Sequence, residues 1–133
     1  MVSTKTVRRI GAVALVVPGF DHLISPTMTM VFAPAIMETM FGQGFISATI
    51  FFIVLGVFQI VWIRVLRKSN NPALLILEVL GNLVSIFIYF ISTSGVTIFG
   101  VPPQPLIPFG VLVKALETIF VIASLYVLKA PKP

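Results

Sequence analysis

The chain contains no cysteine and carries few charges of either sign: charged residues make up 10% of its 133 positions, including only four acids, and there is one histidine. Without cysteine there is no disulfide, thiolate nucleophile or thiolate metal ligand. Soluble domains carry about a quarter charged residues. Here 58% of residues are hydrophobic and the mean hydropathy is +1.12, a composition that points to an integral membrane protein. The length implies one domain over residues 1–133.

The net charge of +5 does not mark a nucleic-acid partner, because the cations are placed at the ends of apolar runs. Lys5, Arg8 and Arg9 precede the first run, Arg64, Arg67 and Lys68 separate the middle two, and Lys129 and Lys132 follow the last. Only Lys114 lies inside an apolar run. Cations concentrate on the cytoplasmic side of membrane helices, so the expected topology is four spans with both termini and the Arg64–Pro72 hinge in the cytoplasm. Five spans would require the stretch around Pro26 and Pro34 to cross the bilayer.

A span needs about 20 apolar residues to cross a hydrocarbon core of about 30 Å. The expected helices are about 8–24, 44–66, 72–92 and 109–128, which makes an all-α integral membrane protein with a four-transmembrane-helix bundle. A signal peptide is the competing reading of the first run, since Arg8 and Arg9 precede it. No small-residue cleavage site follows, so a retained helix kinked near Pro18 is expected. Residues 25–43 hold Pro26, Pro34 and Gly42 and read as an irregular outer segment with a short amphipathic helix from Ala35 to Phe41. Trp62 is expected at the cytoplasmic interface, where indole rings are favoured. Pro72 fits the first turn of the third helix. Residues 93–108, with four prolines and no charge, read as an extended outer loop. Gly42, Gly44, Gly56, Gly81 and Ser85 allow close helix packing, and the phenylalanines at 51, 52, 58, 87, 90 and 120 read as bulk facing lipid or a partner.

All four acids, Asp21, Glu38, Glu78 and Glu117, lie in or against the membrane segments. Ionisable groups at that depth are costly unless they face protein or water and find partners. At about 1.5 Å per residue, Glu78 falls in the inner half, Asn82 and Glu117 near the middle, and Lys114 with Asp21 and His22 in the outer half. Lys114 and Glu117 share a helix face. Lys114 is also expected to reach Asp21, Glu117 to reach Asn82, and Gln59 to join Glu78. Two roles fit such pairs: holding the helices together in lipid, or forming a proton or ion path. Asp21, His22 and Glu117 lack a metal-binding spacing, so a metal site there is a weak signal. Met28, Met30, Met37 and Met40 place soft thioethers in the outer segment, where Cu(I) contact competes with simple apolar filling.

The pattern Asp21-His22-Leu, then Phe-Phe-x3-Gly-x2-Gln over residues 51–59 with Trp62, Gly81-Asn82, Pro102-Pro103 and Lys114-x2-Glu117 is similar to small uncharacterised four-helix membrane proteins of archaea and actinobacteria. The acids usual in their proline-rich loop are missing here. The chain also resembles, in texture, size and methionine segment, small accessory chains of the membrane copper monooxygenase of ammonia-oxidising archaea. That resemblance implies a non-catalytic accessory subunit partnered by larger integral membrane subunits, with copper in those partners, no cofactor in this chain and a location in the cell membrane. It also implies no catalytic residue here, and the sequence offers no nucleophile–base pair, phosphate loop or metal spacing. The alternative reading is a small proton-coupled transporter or channel working as a homo-oligomer.

Overall fold

A computed structural model describes residues 2–98 and 103–130, with the side chains of Met37, Met40, Phe41, Gln43 and Phe45 outside that description. The elements are α1 (Thr4–Ala14), α2 (Val16–Phe32), α3 (Pro34–Phe41), a 3-10 turn at Gly42–Gly44, α4 (Phe45–Lys68), α5 (Pro72–Thr93) and α6 (Pro108–Lys129). Four helical stretches, Thr4–Phe32, Ile46–Lys68, Pro72–Thr93 and Pro108–Lys129, are long and apolar enough to cross a membrane. Local chemistry sets their starts. The Ser3 hydroxyl accepts the Thr6 amide at 3.1 Å, and the Asn71 side chain accepts the Ala73 amide at 3.0 Å, which satisfies amides otherwise orphaned in a first turn. Pro72 and Pro108 occupy first-turn positions, where a missing N–H costs nothing.

The first span corrects the expectation for residues 8–43. Its helix is interrupted at Leu15, three residues before Pro18, and then runs through Pro26 to Phe32. The Pro18 ring crowds the carbonyl four residues back, at Ala14, so the ladder breaks there. The helix runs on through Pro26, although proline has no N–H for the His22 carbonyl four residues back. Around it Thr27 donates to the Leu23 carbonyl at 2.7 Å and Thr29 to that of Ser25 at 2.8 Å. The break falls instead at Ala33, with φ −144° and ψ 58°, since a residue before proline disfavours the helical region. Pro34 then opens α3, which covers the short helix expected over Ala35–Phe41. The stretch expected as an extended loop has no regular helix over 96–97 and 103–107, while 99–102 lie outside the described residues.

The first span sits centrally, with α2 against α4, α1 against both α6 and α4, and α5 closing on α6. The approach of α2 to α4 needs glycine: a Cβ on Gly56 would lie 2.7 Å from the Leu23 amide nitrogen and 2.9 Å from the Gly19 carbonyl oxygen. The Trp62 ring, expected at the interface, is turned inward. It is buried in the core with Leu15, Leu66, Leu75, Phe120, Ala123 and Val127, because Gly81 of α5 leaves the space its ring fills. Phe120 is likewise core and not outward bulk, and Phe52 stacks on His22. Phe51, Phe58, Phe87 and Phe90 do face outward.

The hinge end is fixed by Arg8. Its Nη1 donates to the Leu66 and Ser69 carbonyls at 2.6 and 2.7 Å, and its Nη2 to Asn70 Oδ1 at 2.7 Å. A guanidinium there satisfies terminal carbonyls of α4 and sits at the negative end of its dipole. Tyr126 Oη donates to the Val2 carbonyl at 3.0 Å. The two helical ends of the chain and the 64–72 hinge therefore share one end of the bundle. Replacing Gly56 with leucine should drive α2 from α4 and lower the thermal midpoint in detergent, at a cost of at least the about 1–3 kcal/mol of core overpacking. An unchanged midpoint would show that the two backbones do not meet at this position.

Candidate functional site

One hydrogen-bonded cluster joins all four spans at mid-bundle. Gln59, Asn82 and Glu117 are fully buried, and Ser85, Lys114 and His22 nearly so. Gln59 Nε2 donates to Glu117 Oε1 at 2.7 Å and to Asn82 Oδ1 at 3.1 Å. With the amide nitrogen so used, Gln59 Oε1 is the acceptor for His22 Nδ1 at 2.8 Å. This assigns a proton to Nδ1, so that in the neutral ring Nε2 carries the free lone pair. Lys114 Nζ donates to Glu117 at 2.9 and 3.1 Å and to Ser85 Oγ at 2.8 Å. Ser85 lies 3.2 Å from both Glu117 oxygens, and His22 Nδ1 is 3.7 Å from Glu117 Oε1. The Lys114 ammonium also stands 5.6 Å from the Tyr89 ring centroid, within cation–π range.

The partners differ from the expected ones in three respects. Asp21, turned partly outward, accepts from Ser25 at 2.6 Å. Lys114 is committed instead to Glu117 and Ser85, because an i,i+3 pair on one helix meets without a second helix having to be placed. Asn82 does not bond Glu117 directly; Gln59 bridges them, while Asn82 Nδ2 turns back to the Glu78 carbonyl at 3.0 Å. Gln59 does not join Glu78, whose carboxyl oxygens are buried and, among the described residues, without a hydrogen-bond partner. Ser124 lies beside Glu78, but its hydroxyl is engaged by the Phe120 carbonyl. One helical turn separates Glu78 from Asn82, so a side chain as short as that of Gln59 serves only the upper group.

Above the cluster, at the end of the bundle away from the hinge, lies a cavity of about 370 Å³. Lys114, His22 and Ser85 form its polar floor, and Phe51, Phe52, Ile88, Tyr89, Pro105, Ile107 and Val113 make much of its wall. Asp21, Ser25 and Ser92 also reach it. The Tyr89 hydroxyl is buried and, among the described residues, has no hydrogen-bond partner. A volume of this size, apolar walls and a few convergent polar groups characterise small-molecule sites.

Ser85 was legible only as a small packing residue and Phe52 only as outward bulk, and Tyr89 was not singled out. A signal existed: Glu78, Asn82, Ser85, Tyr89 and Ser92 recur every three or four residues, a polar stripe along an otherwise apolar helix. Met28 and Met30 lie exposed on α2, and the side chains of Met37 and Met40 are outside the described residues. Among the described residues no three His, Asp or Glu side chains gather as a metal site would require.

The fold is all-helical among the described residues, and its four apolar spans point to a multi-pass membrane protein. Comparison with protein families, curated proteins and solved structures finds no match for the chain.

The unequal satisfaction of the two buried acids gives opposite expectations for equivalent substitutions. Glu117→Leu leaves the Lys114 ammonium buried without its counter-charge, a loss of about 3–5 kcal/mol. Glu78→Met removes a polar group that has no partner and should be neutral or stabilising. Thermal unfolding of both variants in one detergent checks this; equal losses would refute the difference in pairing.

Proposed function

We propose that the chain binds a small, mostly apolar molecule in the cavity above Lys114 and His22 and couples that binding to movement of a proton. The observation that supports this most directly is the ionisable floor beneath an apolar chamber. Ionisable groups at membrane depth mark substrate or proton pathways more often than scaffolding needs would require. His22 is the group suited to receive a proton: Nδ1 remains held by Gln59, Nε2 of the neutral ring is free to take the proton, and Glu117 at 3.7 Å stabilises the resulting imidazolium. In this reading the protein is a small proton-coupled transporter in the cell membrane, assembled from several copies because four spans enclose little path alone.

A second reading makes the chain an accessory subunit of a larger membrane enzyme, with the archaeal ammonia-oxidising copper monooxygenase as the particular complex. It is favoured by the outer face of α5, where Leu77, Leu80, Val84, Phe87 and Phe90 are more than half exposed and would suit larger apolar subunits. Copper would then reside in the partner chains, and the methionine segment would lie on their extracytoplasmic side.

Two measurements separate these readings and test the orientation. Vesicles reconstituted with the protein should pass protons under an imposed potential faster than protein-free vesicles, and Glu117→Gln and His22→Asn should abolish the excess. Absence of any flux, together with large heterologous chains at fixed stoichiometry in native mass spectrometry, would reject the transporter in favour of the subunit. For orientation, single cysteines replacing Ser3 and Ser69 should be shielded from an impermeant thiol reagent in intact cells, and one replacing Ser94 should react. Reaction at Ser69 without reaction at Ser94 would invert the topology.

A further inference from the structure

The hinge end carries a second concavity that takes no part in the cluster just described. It is a groove of about 380 Å³ between α1 and α4, lined by Arg9, Ala12, Val13, Val16, Ile63 and Arg67. The lining follows from helical spacing: 9, 12, 13 and 16 fall on one stripe of the first span, and 63 and 67 on one stripe of α4. The groove faces away from the bundle, with Val13 70% and Val16 38% exposed. In a membrane that apolar floor meets acyl chain.

The two arginines give the groove its character. Arg8, one residue away, is spent on the α4 carbonyls and Asn70. Arg9 lies about 100° further around the helix, so it turns from those carbonyls into the groove. Among the described residues neither Arg9 nor Arg67 forms an ion pair, the only two such pairs being those of Glu117. None of the four acids lines the groove. Two guanidinium groups therefore flank an apolar channel with no ion-pair partner among the described residues. Arginine is weakly hydrated and presents a planar fork that fits phosphate oxygens. Basic pockets between membrane helices on the cytoplasmic side are where anionic headgroups bind.

We infer that the groove between α1 and α4 is a binding site for one anionic phospholipid, whose phosphate is held between Arg9 and Arg67 and whose acyl chain lies along Ala12, Val13, Val16 and Ile63. Charge complementarity selects the anionic headgroup, and the apolar floor selects a lipid over a free phosphate ion. The site stands apart from the cavity near His22, so it holds whichever function that cavity serves.

The test uses the whole detergent-purified chain. Phosphatidylglycerol, phosphatidylcholine with the same acyl chains, and inorganic phosphate are each added, and binding is read by native mass spectrometry and thermal midpoint. Phosphatidylglycerol should remain bound one-to-one and raise the midpoint. Phosphatidylcholine and inorganic phosphate should do neither. The double variant Arg9→Gln with Arg67→Gln should lose at least tenfold in retained phosphatidylglycerol, with its lipid-free midpoint unchanged because neither side chain forms an ion pair among the described residues. A matched loss of charge outside the groove, Arg64→Gln with Lys68→Gln, should retain the lipid. Equal retention of phosphatidylcholine, an equal effect of inorganic phosphate, or equal loss in the Arg64–Lys68 variant would each overturn the site.

Discussion

The Lys114–Glu117 ion pair is the interaction on which the remaining geometry depends. Lipid tails are as apolar as leucine, so helices gain little by hiding apolar surface from them, and an ionised group inside must find its partner in the protein. Lys114 and Glu117 neutralise each other at 2.9 Å yet leave donor and acceptor capacity over. Ser85, Gln59 and, through Gln59, His22 and Asn82 take up that capacity. They come from the other three spans, so satisfying one pair fixes the relative height and rotation of four helices.

Close backbone approach makes this reach possible. Gln59 can touch His22 only because Gly56, one turn earlier on α4, lets that helix lie against the backbone of α2 near Gly19 and Leu23. Trp62, one turn later, fills the gap left at Gly81 and spaces α4 from α5. A small residue brings one helix close and a large one holds another off, and the polar cluster lies between these two contacts. The cavity follows from the same arrangement: beyond the cluster, aromatic side chains line the space the helices enclose.

Charge is divided between the two ends of the bundle in a way that separates their roles. At the hinge end, cations are plentiful and acids few; Arg8 binds backbone, and Arg9 and Arg67 face outward over an apolar groove. In the middle, opposite charges are paired and shielded. The first arrangement suits a headgroup surface. The second suits a site where a proton or a polar atom of a ligand changes the balance of a closed network.

The sequence by itself determined the four spans and the shared end of the hinge and termini, because length, hydropathy and the placement of charge act along the chain. It also determined the Lys114–Glu117 contact, which one helix makes alone. Partner choice between helices was decided only by the tertiary structure. Asp21 bonds Ser25, Gln59 passes over Glu78 to reach Glu117, and Trp62 goes inward, since rotation and separation of spans depend on how Gly56 and Gly81 are filled. The persistence of α2 through Pro26 was likewise hidden: proline marks a break, and only the structure shows the helix running on to Phe32. The cavity has no sequence of its own, because its floor and walls come from residues far apart in the chain that meet only when all four helices pack.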